Sequence, residues 1–234
     1  MQDFAPPLTF ATLVTALRAA GCVFAEDEAE LLLSTAADPA ALAAMLERRE
    51  AGHPLEHVLG WAEFCGLRIA VDPGVFVPRR RTEFLVRQAA ALAPDQAVVV
   101  DLCCGTGALG RALASTLRDV ELHAADVEPA AVRCARRNVG ALGTVHEGDL
   151  FTPLPRALRG RVDVLLANVP YVPTGDVGLL PAEARVHEPL VALDGGGDGL
   201  DVMRRVVADE HSPGGVGFPW ELCPQARDDL DTVW

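Results

Sequence analysis

One short run limits what this chain can fold into more than any other. Asp101-Leu-Cys-Cys-Gly105-Thr-Gly107-Ala-Leu-Gly110 lies between a continuous apolar stretch, residues 97–102, and a stretch at 108–117 that reads as a helix. An unbroken apolar run suits a strand buried on both faces. Glycines between a strand and a helix let the backbone turn sharply and approach a ligand closely. The alternation continues downstream, with strands expected at 120–125, 143–147 and 162–167 and a helix at 129–139. Strands separated by helices imply a parallel sheet with right-handed crossovers. The expected class is therefore α/β.

The chain in front of this pattern has a different character. Thr9 can cap a helix whose apolar stripe is Phe10, Leu13, Val14 and Leu17, ended by Gly21. A second helix is expected at 26–36. Asp38-Pro39 is an N-cap followed by proline at the first helical position, opening a third helix that runs to about Glu50. Residues 61–64 and 67–71 are short extended runs around Cys65-Gly66, as in a hairpin. Asp72-Pro73-Gly74 is a turn, and a helix is expected at 82–92. The reading divides the chain into a helical unit at 1–60, a hairpin linker at 61–81 and the α/β unit at 82–234.

Charge and composition exclude some partners. The net charge of −13 makes the chain a poor general binder of nucleic acid, which needs cations to displace counterions from phosphates. Arg79-Arg80-Arg81 and the group Arg133, Arg136 and Arg137 read as solvated surface. No stretch approaches the length of a membrane span, and the first residues lack the features of a signal peptide. The six cysteines form no C-x-x-C pair and no histidine cluster has zinc spacing, so no metal is expected. The cysteines read as small buried hydrophobes in a reducing cytoplasm.

The glycine turn by itself admits two readings. Gly105, Gly107 and Gly110 satisfy G-x-G-x-x-G, which fits a nicotinamide or flavin enzyme as well as a methyltransferase. Asp101 favours the second. A carboxylate there suits a ligand with a cationic ammonium group, as in S-adenosylmethionine, and repels a pyrophosphate. Asp126, at the end of the second strand of this pattern, can accept hydrogen bonds from ribose hydroxyls and fits both readings. Gly148-Asp149-Leu150-Phe151 follows the third strand. Asp149 could accept from an adenine amino group with Phe151 packed nearby, or simply cap a loop.

The tetrapeptide Asn168-Val169-Pro170-Tyr171 comes directly after the fourth strand. Asparagine and proline are common in turns, and N-x-P-Y alone is unremarkable. Its position gives it weight. An amide nitrogen is a poor nucleophile because its lone pair is delocalised into the carbonyl, so an enzyme must orient it. Asn168 can accept one N–H and donate to the substrate carbonyl, the Val169 carbonyl can accept the other N–H, and Tyr171 offers a face for packing.

Here the chain resembles the glutamine-N5 methyltransferases of the HemK/PrmC type, which carry Asn-Pro-Pro-Tyr at this place. The segment from Arg49 through Gly60-Trp61 to Leu67, the run Val77-Pro78-Arg79 with Thr82-Glu83, and Glu188-Pro189 through Asp194-Gly195-Gly196 to Gly199-Leu200 are also similar, so the resemblance covers residues 40–205. It departs at Val169, which replaces proline, and at Arg80 and Arg81, which replace a proline and an acid. The resemblance implies a Rossmann-like class I methyltransferase sheet that uses S-adenosylmethionine. It implies a cofactor site of Phe76, Pro78, Asp101, Cys103, Gly105, Thr106, Gly107, Asp126, Val127, Asp149, Leu150 and Asn168, and a catalytic site of Asn168, Val169, Pro170 and Tyr171. It also implies a protein acceptor, a peptide-chain release factor, recognised with help from the helical unit in the cytoplasm. The same tetrapeptide serves enzymes that methylate an adenine or guanine amino group, which is the alternative activity.

The C-terminal end departs further. Ser212-Pro213-Gly214-Gly215 is followed by a proline-containing stretch without alternation, which argues against a central strand. The expectation is an incomplete set of C-terminal strands, and with it a second alternative, a truncated chain that binds cofactor without catalysis.

Overall fold

The structure, a computed structural model, describes residues 8–210. The chain opens with α1, Phe10–Ala19. The Thr9 hydroxyl accepts from the Thr12 amide while the Thr12 hydroxyl accepts from the Thr9 amide. α2 (Ala25–Thr35) and α3 (Pro39–Glu50) follow, and Asp38 caps α3 through the Ala41 amide at 2.8 Å. Leu13, Leu17, Ala29, Leu32, Leu42 and Leu46 pack together at their centre. A fully buried leucine contributes about 1.5–3 kcal/mol, so packing rather than helix propensity holds helices this short.

Two features here escape the sequence reading. α4 (Leu55–Leu59) lies between Pro54 and a left-handed Gly60, and five residues are too few to show a period. Its His57 is buried and donates through Nε2 to the Val75 carbonyl at 2.8 Å, with burial holding its pKa below the ordinary value. Arg49, in α3, bridges Glu28 of α2 at 2.7 Å and Glu183 at 2.5 Å. It thereby ties the helical unit to α8 (Ala182–His187), a second short helix not foreseen.

The hairpin consists of β1 (Trp61–Phe64) and β2 (Leu67–Ala70), paired antiparallel across Cys65-Gly66, both at positive φ. Phe64 and Ile69 sink into the same apolar cluster as Val99, Leu113 and Leu122 of the α/β unit. Beyond the hairpin, α5 (Glu83–Leu92) leads to the sheet: β3 (Val98–Leu102), α6 (Ala108–Thr116), β4 (Glu121–Asp126), α7 (Pro129–Val139), β5 (Gly143–Glu147) and β6 (Val164–Ala167). The four sheet strands are parallel in the order β5-β4-β3-β6. This is the α/β class expected. α9 (Asp201–Glu210) completes the described chain.

The two faces of β3 divide the core. Val99 joins the cluster with α5 and α6, whereas Val98, Val100 and Leu102 join Leu150, Val162, Val169 and, from α9, Val206. Asp101 shares the Val99 face by the alternation of a strand. The chain passes from β3 to β4 on one side and returns to β6 on the other, so a crevice opens where the direction reverses, at the carboxyl ends of β3 and β6. Asn138 of α7 fixes the hairpin beside it. Its side chain accepts from the Ala70 amide and donates to the Ala70 and Thr106 carbonyls, each at 2.8 Å.

The expectation of incomplete C-terminal strands concerns residues 211–234, which lie outside the described residues, as does Cys223. Among the described cysteines, Cys22, Cys104 and Cys134 are buried as expected, but Cys65 and Cys103 are only partly so.

Candidate active site

The turn after β3 is built from backbone that few side chains adopt. Cys103, Gly105 and Gly107 have φ of 52°, 55° and 74°. The turn carries the chain from the strand end into α6, with the Cys104 amide donating to Ala125 O and the Gly107 amide to Cys104 O. Asp126, at the end of β4, holds it from the side: one carboxylate oxygen accepts from the Gly105 amide at 2.8 Å and the other from the Glu128 amide at 2.9 Å. Burial raises the Asp126 pKa, against the lowering effect of these amides.

Asp101 lies beneath the turn and is 1% exposed. It accepts from the Gly110 amide at 2.8 Å, and burial pushes its pKa up to about 7, with the nearby Asp126 adding to the rise. A side chain at position 110 would place its Cβ 3.0 Å from the same carboxylate oxygen, so the third glycine of the fingerprint serves close approach. Cys103 is no nucleophile: burial and the surrounding carboxylates push its thiol up to about 12.

Asn168-Val169-Pro170-Tyr171 leaves the end of β6 on the opposite wall. The Asn168 side chain has no hydrogen-bond partner among the described residues, while Arg81 donates to the Tyr171 hydroxyl. Behind the tetrapeptide, Val172 pairs with the loop that follows: its amide donates to Leu193 O at 3.0 Å, and its carbonyl accepts from the Gly195 amide at 2.8 Å. A Cβ at position 195 would stand 2.8 Å from the Pro170 carbonyl oxygen, and one at 199 would stand 2.4 Å from that of Tyr171. The glycines of this loop therefore serve as the close backing of the tetrapeptide.

A cleft with about 800 Å³ of open space joins these parts. Of the residues expected to bind cofactor or act on substrate, Phe76, Pro78, Asp101, Cys103, Gly105, Thr106, Asp126, Val127 and all four of Asn168–Tyr171 line it. Three do not. Gly107 is the N-cap of α6 and packs against α7. Asp149 forms an ion pair with Arg205 of α9, and Leu150 is buried in the core beneath it. One oxygen of Asp149, the group expected to accept from an adenine amino group, is engaged by that arginine.

The partner that Arg79 takes in the roof of the cleft was not foreseen. Arg79, read from its run of three arginines as solvated surface, instead donates to both oxygens of Glu188 at 2.6 and 2.7 Å. Glu188 also accepts from the Val77 amide at 3.2 Å and is 5% exposed; burial raises its pKa despite Arg79. Arg80 and Arg81 are exposed as expected. A second, outer groove of about 1240 Å³ adjoins the cleft, bounded by Pro54, Glu56, Arg79, Tyr171, Pro181 and Glu183 among others. Among the described residues no cluster of three or more His, Cys, Asp or Glu is placed to hold a metal ion, and no helix is long and apolar enough to cross a membrane.

Comparison with known proteins agrees with this geometry. The family described as "Methyltransferase small domain" matches residues 66–212, which contain the glycine turn, Asp126 and the tetrapeptide. The chain belongs to this methyltransferase family. It is 42% identical over 182 residues to a protein of Geobacter sulfurreducens named release factor glutamine methyltransferase, a match that covers 75% of this chain and 63% of the relative. Proteins of the same name from Streptomyces coelicolor (41% over 180 residues, 74% of this chain, 64% of the relative) and Mycolicibacterium smegmatis (42% over 189 residues, 78% and 66%) are comparably similar. The methyltransferase resemblance read from the tetrapeptide and its flanking segments is borne out. The chain spans less than two thirds of the length of each of these relatives.

Proposed function

We propose that this chain transfers a methyl group from S-adenosylmethionine to the N5 side-chain amide of a glutamine in a protein, and that a peptide-chain release factor carries that glutamine. The supporting observation is the meeting of Asn168–Tyr171 with the glycine turn and Asp126 in one cleft. The relatives' names point to the same acceptor.

The cleft suits this cofactor. Asp101, Asp126 and Glu128 line its floor, and Arg79, paired with Glu188, is the only cation among the described residues that line it. Such a floor favours an ammonium group and disfavours a pyrophosphate, against the nicotinamide alternative. Asp101 would hold the ammonium, and Asp126, fixed by two amides, would offer its remaining lone pairs to ribose hydroxyls. Phe76, Pro78 and Val127 supply apolar wall. When bound, the cofactor supplies an electrophilic methyl carbon on a sulfonium.

The chain's own task is then orientation. Asn168 accepts one amide N–H of the acceptor and donates to its carbonyl, and the Val169 carbonyl accepts the second N–H. The amide plane is thereby held so that one face of the nitrogen, where the lone pair lies, is turned toward the methyl carbon. No general base is needed, since the methylated amide sheds its proton to water readily. Because Val169 contributes only its carbonyl, valine serves where relatives of this type carry proline. The helical unit at 1–60 adds to recognition of the protein acceptor, and such an acceptor places the reaction in the cytoplasm.

The test is incubation with radiolabelled cofactor and either an unmethylated bacterial release factor or RNA. Label on a release-factor glutamine is the expected result. Label on RNA alone would replace this proposal with the amino-methyltransferase alternative, and cofactor binding without label on either would leave a non-catalytic binder.

A further inference from the structure

The cofactor cleft and the outer groove share four lining residues, Phe76, Arg79, Tyr171 and Ala192. Arg79 is the one among them whose hydrogen-bonding capacity is mostly unspent. Its Nη2 donates to both oxygens of Glu188, whose side chain is 1% exposed, whereas its Nε and Nη1 have no partner among the described residues. The guanidinium carbon lies 4.9 Å from the centre of the Phe76 ring, which fixes the plane of the group. The side chain is 35% exposed and lines the groove. A guanidinium held from behind by a buried carboxylate and flanked by a ring presents its remaining Nε and Nη1 donors in set directions for single hydrogen bonds to carbonyl oxygens, since little freedom is lost on binding.

We propose that Arg79 binds the main chain of the acceptor, donating to carbonyl oxygens beside the target amide, and that Glu188 is a positioning residue that acts through Arg79. This rests on the reading of the chain as a protein methyltransferase whose acceptor arrives by the outer groove. The groove's other charges select the class of acceptor. Glu56, Glu183 and Glu188 outnumber Arg79 and Arg81 in its lining, and Arg79 is already paired with Glu188, so the groove offers little net positive charge to a phosphate backbone and does not repel a neutral peptide. An extended peptide segment fits that pattern.

The experiment compares wild type, Arg79→Lys, Glu188→Gln and the double variant, using an unmethylated release factor as acceptor. Lysine keeps a charge near Glu188 but loses the fixed Nε and Nη1 donors, and glutamine keeps an acceptor for the Val77 amide but loses the charge. The KM for the release factor should rise about tenfold in Arg79→Lys, as expected for loss of charge-assisted hydrogen bonds. Cofactor Kd by calorimetry and kcat should stay within about twofold. The double variant should be no worse than the poorer single one, because both act at one contact. An unchanged KM, a cofactor Kd that rises in step with KM, or additive effects overturns the assignment. Release-factor binding is also measured by calorimetry in the presence of S-adenosylhomocysteine. A wild-type chain that binds the factor but transfers nothing removes the catalytic reading and leaves Arg79 to be judged by that Kd; one that binds no factor overturns both.

Discussion

Asp101 joins folding stability to cofactor binding, and replacing it with asparagine separates the two. The carboxyl is 1% exposed, with one amide to stabilise its charge and Asp126 nearby to oppose it. Its pKa is carried from 3.8 to about 7. Each pH unit between those values is worth about 1.4 kcal/mol, so holding the charged form in the ligand-free fold costs roughly 4 kcal/mol at pH 8. Because the folded pKa lies above the unfolded one, the site favours folding fully below about pH 4, and that support is lost as pH rises through about 7. Asp101→Asn preserves shape and the acceptor for the Gly110 amide while abolishing the charge. Urea unfolding should find the ligand-free variant more stable than wild type by about 4 kcal/mol at pH 8, under about 2 kcal/mol at pH 5 and well under 1 kcal/mol near pH 4. Calorimetry should show S-adenosylmethionine binding weakened by about tenfold or more, because the ammonium loses a charged partner. A variant no more stable than wild type at pH 8, or one equally stabilised at both ends of the range, would refute the burial argument. Undiminished cofactor affinity would refute the assignment of Asp101 to the ammonium.

The remaining predictions concern the other walls. Asn168→Ala should abolish methyl transfer in the labelled-cofactor assay while leaving cofactor Kd within about twofold, since its amide serves the acceptor. Asp126→Ala should raise cofactor Kd by at least about tenfold, because it removes the ribose acceptor and frees the Gly105 and Glu128 amides. Gly195→Ala would drive a methyl group to within 2.5 Å of the Gly199 carbonyl oxygen and 2.8 Å of the Pro170 one. Turnover should fall sharply and the urea midpoint should drop by the equivalent of about 1–3 kcal/mol, with cofactor affinity kept. Asn138→Ala removes the partner of the Ala70 amide and of the Thr106 carbonyl and leaves the Ala70 carbonyl the weaker Cys134 thiol, and should cost about 2–3 kcal/mol in the same unfolding assay.

Much of the site was legible because its signals are local. A left-handed turn after a buried strand needs glycines within a few residues of one another, and Asn168–Tyr171 announces itself as four consecutive residues after β6. The central strand appears as a continuous apolar run and the first helix as an apolar stripe near period 3.6, and the sheet elements fall within two residues or so of where the sequence puts them. α4 and α8 are missed because five or six residues carry no period. Asp149 lies outside the cleft lining for a reason the sequence does not show. Its partner is Arg205, 56 residues away, and nothing in the loop that contains Asp149 foretells that arginine.

The sequence alone therefore determines the class of fold, the glycine turn, the tetrapeptide and the acidic strand ends, since each depends on neighbours along the chain. Tertiary structure decides which of the charged residues face the cleft. Arg79 looks like one of three solvated arginines until Glu188, 109 residues on, takes it into the roof, and Asn138 looks like an ordinary helical asparagine until Ala70 and Thr106 close on it. A side chain's partner across the fold is set by how helices and strands pack, and that packing is a property of the whole chain that no local stretch contains.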